Sequence, residues 1–112
     1  MADTISFDDF TKVDIRIGTI IDAQDFPKAK KPAYQLTIDF GALGIKRSSA
    51  QITALYTKEQ LMRRQITAVV NFAPKQIANF LSECLVLGVA DDNGDIVLLQ
   101  ASISTKNGNQ IN

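Results

Sequence analysis

Histidine is absent from this sequence, and cysteine occurs once, at Cys84. The absence of histidine removes the most common general base, every Ser-His or Cys-His pair and the most frequent ligand of transition metals. A lone cysteine cannot form an intrachain disulfide, and without histidine it cannot complete a structural zinc site. We therefore predict that the protein is not an enzyme and that it holds no metal.

Phosphate-binding glycine loops and long apolar runs are also missing. Neither the GxxxxGK pattern nor the GxGxxG pattern occurs, so we predict that the protein uses no cofactor. No stretch approaches the roughly 20 apolar residues that a membrane span needs. The N-terminal stretch MADTISFDDF has neither a basic region nor an apolar run, which is unlike a signal peptide. Together with the single cysteine, these absences predict a cytoplasmic protein with no membrane insertion.

The composition suits one folded domain. The chain has 112 residues, of which 46% are hydrophobic, so residues 1–112 are expected to bury one core and to leave no room for a second. Twelve basic residues balance twelve acidic ones, which gives a net charge of zero. Because phosphates are neutralised locally, a nucleic-acid site would need its cations clustered on one surface. The net charge alone therefore points neither to nucleic acid nor to a membrane surface.

Alternating apolar and polar residues predict strands in the first half of the chain. In the first strand, the apolar face is expected to hold Val13, Ile15, Ile17, Thr19, Ile21 and Ala23. Gly18 inside this segment predicts a bulge or bend. The second and third strands are predicted over Tyr34–Phe40 and Ile45–Ile52. The fourth strand is predicted over Ile66–Phe72, and the fifth is a hairpin of Cys84–Ala90 with its return arm Asp95–Gln100, joined by the turn Asp91-Asp92-Asn93-Gly94.

Two capping boxes predict short helices. Ser6 is followed three residues later by Asp9, and Thr57 by Gln60, so each pair can satisfy free N–H groups at the start of a helix. One of these helices precedes all the strands, and the other lies between the third and the fourth. This order of elements predicts a mainly β fold, a five-stranded Greek-key OB barrel with short helices at the N-terminus and between strands 3 and 4.

The connector Ala73–Leu81 and the residues at its ends gather polar groups beside apolar strands. An amide (Asn71), a cation (Lys75) and a hydroxyl (Ser82) occur together there, which makes this stretch the first candidate site. Asn71 and Ser82 also have structural explanations, because Asn is common where strands end in turns and Ser bonds nearby backbone groups. Cys84, in the following apolar run, is interpreted as a small buried hydrophobe rather than as a nucleophile.

Three lysines, Lys28, Lys30 and Lys31, lie between two prolines in the loop after the first strand. Such a cluster forms either a binding site or a solvated loop. The solvated loop is the favoured interpretation, because a short run of charge is common on exposed turns.

Three segments occur in a specific order: KVDIRIGTI (Lys12–Ile20), IKRSSAQIT (Ile45–Thr53) and NFAPKQIANFLSECLVLG (Asn71–Gly88). Together they resemble the tRNA-binding domain family, and the resemblance runs from about Phe7 to Gln100. This family is an OB-fold module found attached to methionyl- and phenylalanyl-tRNA synthetases and as free-standing dimers. The basic second segment, the short length and the ending GDIVLLQ are most similar to free-standing bacterial members that act as secretion chaperones.

The resemblance implies a homodimer with two kinds of ligand. The dimer would form through the N-terminal helix, within residues 1–12, and through the C-terminal segment, residues 101–112. The tRNA-binding residues that the resemblance implies are Asn71, Lys75 and Ser82, with Arg16, Lys46 and Arg47 as phosphate contacts. The expected peptide-binding residues are apolar side chains taken to be exposed near the connector: Ile20, Phe72, Ile77, Phe80 and Leu81.

Two ligand-binding functions remain open from the sequence, beside a purely structural dimer that scaffolds other proteins. The first is a homodimeric export chaperone that binds unfolded preproteins and works with the export machinery. The alternative is a structure-specific tRNA-binding protein without a chaperone role. The sequence PKAKKP stands where many tRNA-binding members read P-x-A-D-K-L, and Ser82-Glu83-Cys84 stands where they continue Ser-x-Gly-Met. With zero net charge, these departures favour the chaperone.

Overall fold

The computed structural model describes residues 1–112, and antiparallel β-structure dominates it. The strands are β1 (Ile15–Asp25), β2 (Tyr34–Asp39), β3 (Ile45–Ala50), β4 (Gln65–Val69), β5 (Lys75–Ile77), β6 (Phe80–Ser82), β7 (Leu85–Val86), β8 (Gly88–Ala90) and β9 (Ile96–Leu98). Five of them form one sheet in the order β3-β2-β1-β4-β7, which curls into a nearly closed barrel. The predicted mainly β fold of the OB type is confirmed, and β8 and β9 form the hairpin predicted at the turn Asp91-Asp92-Asn93-Gly94.

Both helices begin at the predicted capping boxes. Helix α1 covers Phe7–Thr11 after the N-cap Ser6, and helix α2 covers Lys58–Leu61 after the N-cap Thr57. In each, the cap side chain accepts a backbone N–H three residues on, and the side chain at that position accepts the N–H of the cap. A 3₁₀ turn spans Gly41–Leu43. None of the helices has the length and apolar character needed to cross a membrane.

Strand β1 forms as predicted, but Gly18 and Ile20 lie on the face that is turned to the barrel core. Ile17 is buried outside the core cluster, beside the C-terminal segment, and Ile21 is exposed. The pairing of β1 with β2 shifts register between Ile20 and Asp22, so a bulge after Ile20 moves the alternation by one residue. The inward position predicted for Ile21 is therefore wrong.

Large apolar side chains fill the barrel interior. Those that are less than 2% exposed are Ile20, Leu36, Ile38, Phe40, Leu61 and Ile66. Gly18, where the sequence predicts a bulge, instead permits close packing: a Cβ there would lie 2.6 Å from Cγ2 of Ile38 and 2.7 Å from the Phe40 ring. Leu61 comes from α2, which packs against β1, so the short helix is held by the same core as the sheet.

The barrel closes between β3 and the chain around β6 and β7 through a small number of bonds. The Glu83 N–H donates to the Arg47 carbonyl over 2.8 Å, and the Arg47 N–H donates to the Glu83 carboxylate over 2.9 Å. The Ser49 N–H donates to the Ser82 hydroxyl over 3.2 Å. Side-chain oxygens of Glu83 and Ser82 thus accept backbone N–H groups of β3 in place of backbone carbonyls. The N–H groups on the outer edge of β3 therefore have hydrogen-bond partners.

The segment predicted as a connector forms a second hairpin, β5–β6. Phe80 in β6 packs against Phe26, with ring centroids 5.4 Å apart, and Ala33 completes a small buried cluster separate from the barrel core. Phe26 and Ala33 lie at the two ends of the loop that joins β1 to β2. The cluster therefore fixes the hairpin against this loop.

The C-terminal segment lies along β1 in the stretch that β2 does not reach. The Gly108 N–H donates to the Ile17 carbonyl over 2.7 Å, and the Ile17 N–H donates to the Asn109 carbonyl over 3.0 Å. The Ile111 N–H donates to the Ile15 carbonyl over 2.8 Å. The end of the chain thus supplies an additional edge to the barrel.

Candidate binding site

A concave surface of about 550 Å³, here called the lysine groove, lies between the β1–β2 loop and the β5–β6 hairpin. It is lined by Lys28, Ala29, Lys30, Lys31, Ala33, Ser49, Gln51, Lys75, Gln76, Ile77 and Ala78. No acidic side chain lines it, and none of its four lysines takes part in an ion pair. The positive charge in this groove is thus uncompensated although the whole chain is neutral.

A second surface of about 480 Å³, the apolar groove, lies on the side of β5 toward β7. It is lined by Ser49, Phe72, Ala73, Lys75, Ile77, Ser82, Glu83, Cys84 and Leu85. Phe72 is 57% exposed and Leu85 is 50% exposed, so large apolar surfaces face solvent at both sides of the groove. Past Leu85, a third surface of about 360 Å³ continues over β7 to Leu98 and is mainly apolar.

The lysine groove and the apolar groove meet at β5. Lys75 and Ile77 of β5 line both grooves, as does Ser49 of β3, so β5 supplies most of the wall between them. Lys75 is the only cation of the apolar groove, and Glu83 is its only anion. Since a lysine has an apolar stem and a charged end, Lys75 suits a position between an apolar and a cationic surface.

The three polar residues predicted at the connector are placed differently from one another. Lys75 lines both grooves, and Ser82 lines the apolar groove while its hydroxyl accepts from β3. The Asn71 side chain accepts the Asp14 N–H over 3.0 Å and donates to the Lys12 carbonyl over 2.7 Å. Asn71 thus fastens the end of β4 to the chain that leaves α1, and it lines neither groove.

The three predicted phosphate contacts also lie outside the grooves. The Arg16 guanidinium pairs with Asp14 over 2.6 Å and donates to the Gly108 carbonyl over 3.0 Å. The Arg47 guanidinium lies over the Phe80 ring. Lys46 forms no ion pair. The structure therefore brings together only Lys75 and Ser82 of the six predicted tRNA-binding residues.

The apolar candidates divide into surface and core residues. Phe72 and Ile77 line the apolar groove, and Leu81 is exposed on the hairpin but lines neither groove. Ile20 is 0% exposed and Phe80 is 2% exposed, so the expectation that these two side chains are exposed is wrong. Ile20 lies on the same face of β1 as Gly18, which is turned to the barrel core, and Phe80 packs in the small cluster with Phe26.

Sequence reasoning missed Leu85 and the loop lysines as parts of the site. The sequence favours a solvated loop for Lys28, Lys30 and Lys31, because a short run of charge is common on exposed turns. The fold places Lys75 beside them through the contact between Phe26 and Phe80. The run of three lysines was the available signal, but its importance depends on a pairing between distant segments.

Cys84 behaves as part of the apolar lining. Burial, the largest effect, raises the pKa of its thiol to about 11, so the side chain stays uncharged at neutral pH. Its carbonyl accepts the hydroxyl of the buried Ser48 over 2.9 Å, which fixes the start of β7 against β3. No group of three or more carboxylates and thiols comes together where it could hold a metal ion.

A barrel with a cationic and an apolar groove side by side defines a binding domain of the OB class. The chain belongs to the family described as "Putative tRNA binding domain", whose model matches residues 15–110. The family resemblance seen in the sequence is thereby confirmed.

Methionine–tRNA ligases are among the relatives of this chain. The enzyme of Bacteroides fragilis strain YCH46 is 33% identical over 107 residues, which cover 96% of this chain and 16% of the enzyme. The enzyme of Nitrosomonas europaea is 43% identical over 94 residues, which cover 84% of this chain and 13% of the enzyme. The chain thus corresponds to a small part of these ligases.

Solved structures of similar length match the whole barrel. Chaperone CsaA from Bacillus anthracis strain Ames is 51% identical, with a TM-score of 0.93, covering 98% of this chain and 100% of that one. The CsaA chaperone protein from Picrophilus torridus is 50% identical, with a TM-score of 0.92, covering 97% and 100%. A MetRS-related protein from Pyrococcus horikoshii is 21% identical, with a TM-score of 0.86 and coverage of 98% and 99%, and supports the fold alone.

Proposed function

We propose that the protein is a non-catalytic cytoplasmic chaperone of the CsaA type, which binds unfolded segments of preproteins for export in its apolar groove. The observation that carries the proposal is this groove, in which Phe72 and Leu85 are about half exposed on a rigid barrel. The similarity to two CsaA chaperones over nearly the full length of all three chains supports it.

An unfolded segment suits this surface for physical reasons. Burying an exposed Phe or Leu side chain contributes about 1.5–3 kcal/mol, and this attraction does not depend on the order of residues in the ligand. The apolar surface continues past Leu85 toward Leu98, which gives room for an extended chain rather than for a small molecule. Binding of this kind tolerates many sequences, as a chaperone for different preproteins requires.

We also propose a homodimer that forms through residues 1–12 and residues 101–112. Helix α1 buries none of its residues, and Phe7 is 74% exposed. Ile103 in the C-terminal segment is 78% exposed. A helix of five residues is not stable by its own hydrogen bonds, so a second chain that covers Phe7 would stabilise it.

Binding of tRNA is the second function that a specific observation favours. The lysine groove brings together four cations without a neighbouring carboxylate, which is the local arrangement that phosphate binding needs. The family match supports it. In this proposal Lys75 contacts tRNA, as the sequence predicts. Lys28, Lys30 and Lys31 supply the other phosphate contacts. Arg16 and Arg47 do not, because Arg16 pairs with Asp14 and Arg47 lies over Phe80.

The chaperone function is tested by the aggregation of a chemically unfolded client protein, followed by light scattering. We expect the wild-type protein in molar excess to suppress aggregation and Leu85→Ser to lose most of this effect. Leu55→Ser is the matched control, because Leu55 is also exposed but lines none of the three grooves. Unchanged aggregation in the presence of the wild-type protein would contradict the proposal.

The tRNA function is tested by titrating labelled tRNA at several salt concentrations. The variant with Lys28, Lys30 and Lys31 replaced by alanine should bind more weakly, and its affinity should depend less steeply on salt because fewer counterions are released. Lys58→Ala is the control, since its exposed ion pair with Asp25 contributes little to stability and lies outside the groove. Equal affinity and salt dependence in the triple variant would contradict binding at this groove.

A further inference from the structure

We propose that RNA and unfolded peptide exclude one another on this protein, so that RNA acts as a competitive regulator of client binding. The proposal rests on the proposed function of the two grooves and adds the relation between them. It is carried by strand β5, which forms a wall of both the lysine groove and the apolar groove.

The two grooves overlap in space. Ser49, Lys75 and Ile77 line both grooves, so a ligand that fills either one covers part of the other. Both surfaces are open and of similar size, about 550 Å³ and 480 Å³, and neither holds a macromolecular segment without extending over its rim. An RNA backbone and an extended peptide would therefore meet above β5.

Lys75 is the one cation that lines both grooves. When a phosphate draws the ammonium group toward the lysine groove, the apolar stem of Lys75 moves with it. The apolar groove then loses part of its wall and gains a neighbouring anion. Because coupling between two ligands is reciprocal, a bound peptide must weaken RNA binding by the same factor.

The wall that the two grooves share is fixed in place. Phe80, from the strand paired with β5, is buried against Phe26 at the start of the β1–β2 loop. The hairpin and the loop are thus parts of one packed unit, and β5 cannot move away from one groove to admit a second ligand without opening this cluster. The geometry favours exclusion over simultaneous binding.

The test is a displacement titration. A short, unstructured, fluorescein-labelled peptide of zero net charge is bound to the wild-type protein at low salt, and unlabelled tRNA is added. We expect the apparent Kd of the peptide to rise in proportion to the tRNA concentration without reaching a plateau, as for two ligands that cannot bind together. A plateau, or a complex of protein, peptide and tRNA in sedimentation velocity, would overturn the proposal.

Two variants test whether the displacement of peptide by tRNA arises at the two grooves. In the triple alanine variant of Lys28, Lys30 and Lys31, peptide affinity should stay within about twofold of wild type, while displacement should need at least about tenfold more tRNA. In Leu85→Ser, tRNA affinity should be unchanged and peptide affinity reduced. Separate titrations of each ligand are run first: absence of peptide binding would overturn the chaperone function and this proposal together, whereas binding of both ligands without competition would overturn this proposal alone.

Discussion

The guanidinium of Arg47 lies over the ring of Phe80, with its central carbon 4.4 Å from the ring centroid. Phe26 lies 5.4 Å from the same ring, centroid to centroid, and the two rings are tilted by 56°. Phe80 therefore contacts both a cation on β3 and an aromatic side chain at the start of the β1–β2 loop. These contacts join the barrel, the β5–β6 hairpin and the loop that lines the lysine groove.

Replacing Phe80 by alanine should destabilise the protein. Removal of a buried phenylalanine typically costs about 3–5 kcal/mol, because the apolar contacts are lost and a cavity remains. Urea unfolding measures the change, and Phe80→Leu, which keeps most of the apolar volume, should cost less. Under conditions where Phe80→Ala stays folded, it should also weaken both peptide and tRNA binding, since Phe80 fixes the shared wall. Unchanged stability would contradict the packing described for this cluster.

Replacing Gly108 by alanine should reduce the unfolding free energy more than the same change at Gly94, although both glycines have positive φ. The φ of Gly108 is +91°, and an added Cβ would lie 2.6 Å from the Phe40 carbonyl oxygen. Gly94 has a φ of +83°, but the space around it is open. Gly94→Ala should cost about 1 kcal/mol from backbone strain alone, and Gly108→Ala should cost more because the C-terminal segment must also move away from the barrel. Equal unfolding free energies for the two variants would show that this segment is not packed as described.

Asn71 should contribute more to stability than to RNA binding. Asn71→Ala removes the acceptor of the Asp14 N–H and the donor to the Lys12 carbonyl, and we expect a loss of about 1–2 kcal/mol. Asn71→Asp keeps the acceptor but sets a carboxylate oxygen against the Lys12 carbonyl, so it should restore little of this loss. We expect the tRNA affinity of folded Asn71→Ala to stay within about twofold of wild type, because the lysine groove supplies the phosphate contacts. A large loss of affinity would instead support the direct tRNA contact predicted from the sequence.

Features with a local cause were predictable from the sequence. The capping boxes at Ser6 and Thr57 involve residues only three positions apart, so the start of each helix could be placed correctly. The barrel class followed from the order of strands and helices. The hairpin β5–β6 was missed because Ala78, with φ +50°, occupies a turn position where glycine or asparagine gives the usual signal.

Features that depend on distant pairing were not predictable. The bulge that leaves Ile21 exposed arises from the register of β1 against β2, and the sequence of β1 alone gave a regular alternation. The lysine groove forms because Phe26 and Phe80 meet across the fold. Only the folded chain shows that Lys30 and Lys75 belong to one surface.

The thiol of Cys84 should make stability depend on alkaline pH. Burial raises its pKa from the ordinary value of 9.0 to about 11, so the folded state binds the proton more tightly than the unfolded state does. The resulting stabilisation is complete below pH 9.0 and is lost as the pH rises toward 11. Its full size is on the order of 2 kcal/mol.

The measurement is urea unfolding of the wild type and of Cys84→Ala at a series of pH values. We expect the difference in unfolding free energy between the two proteins to be constant near neutral pH and to shift against the wild type above about pH 9. A difference that stays constant throughout would show that the thiol is not buried as described.

Binding of unfolded chains in the apolar groove is measured by fluorescence anisotropy with a labelled unstructured peptide at physiological salt. We expect binding by the wild type that persists as salt is raised, a loss of about tenfold or more in Leu85→Ser, and no change in Leu55→Ser. Tight, salt-sensitive binding of tRNA with no detectable binding of peptide would contradict it, and would identify the protein as a tRNA-binding domain without a chaperone role.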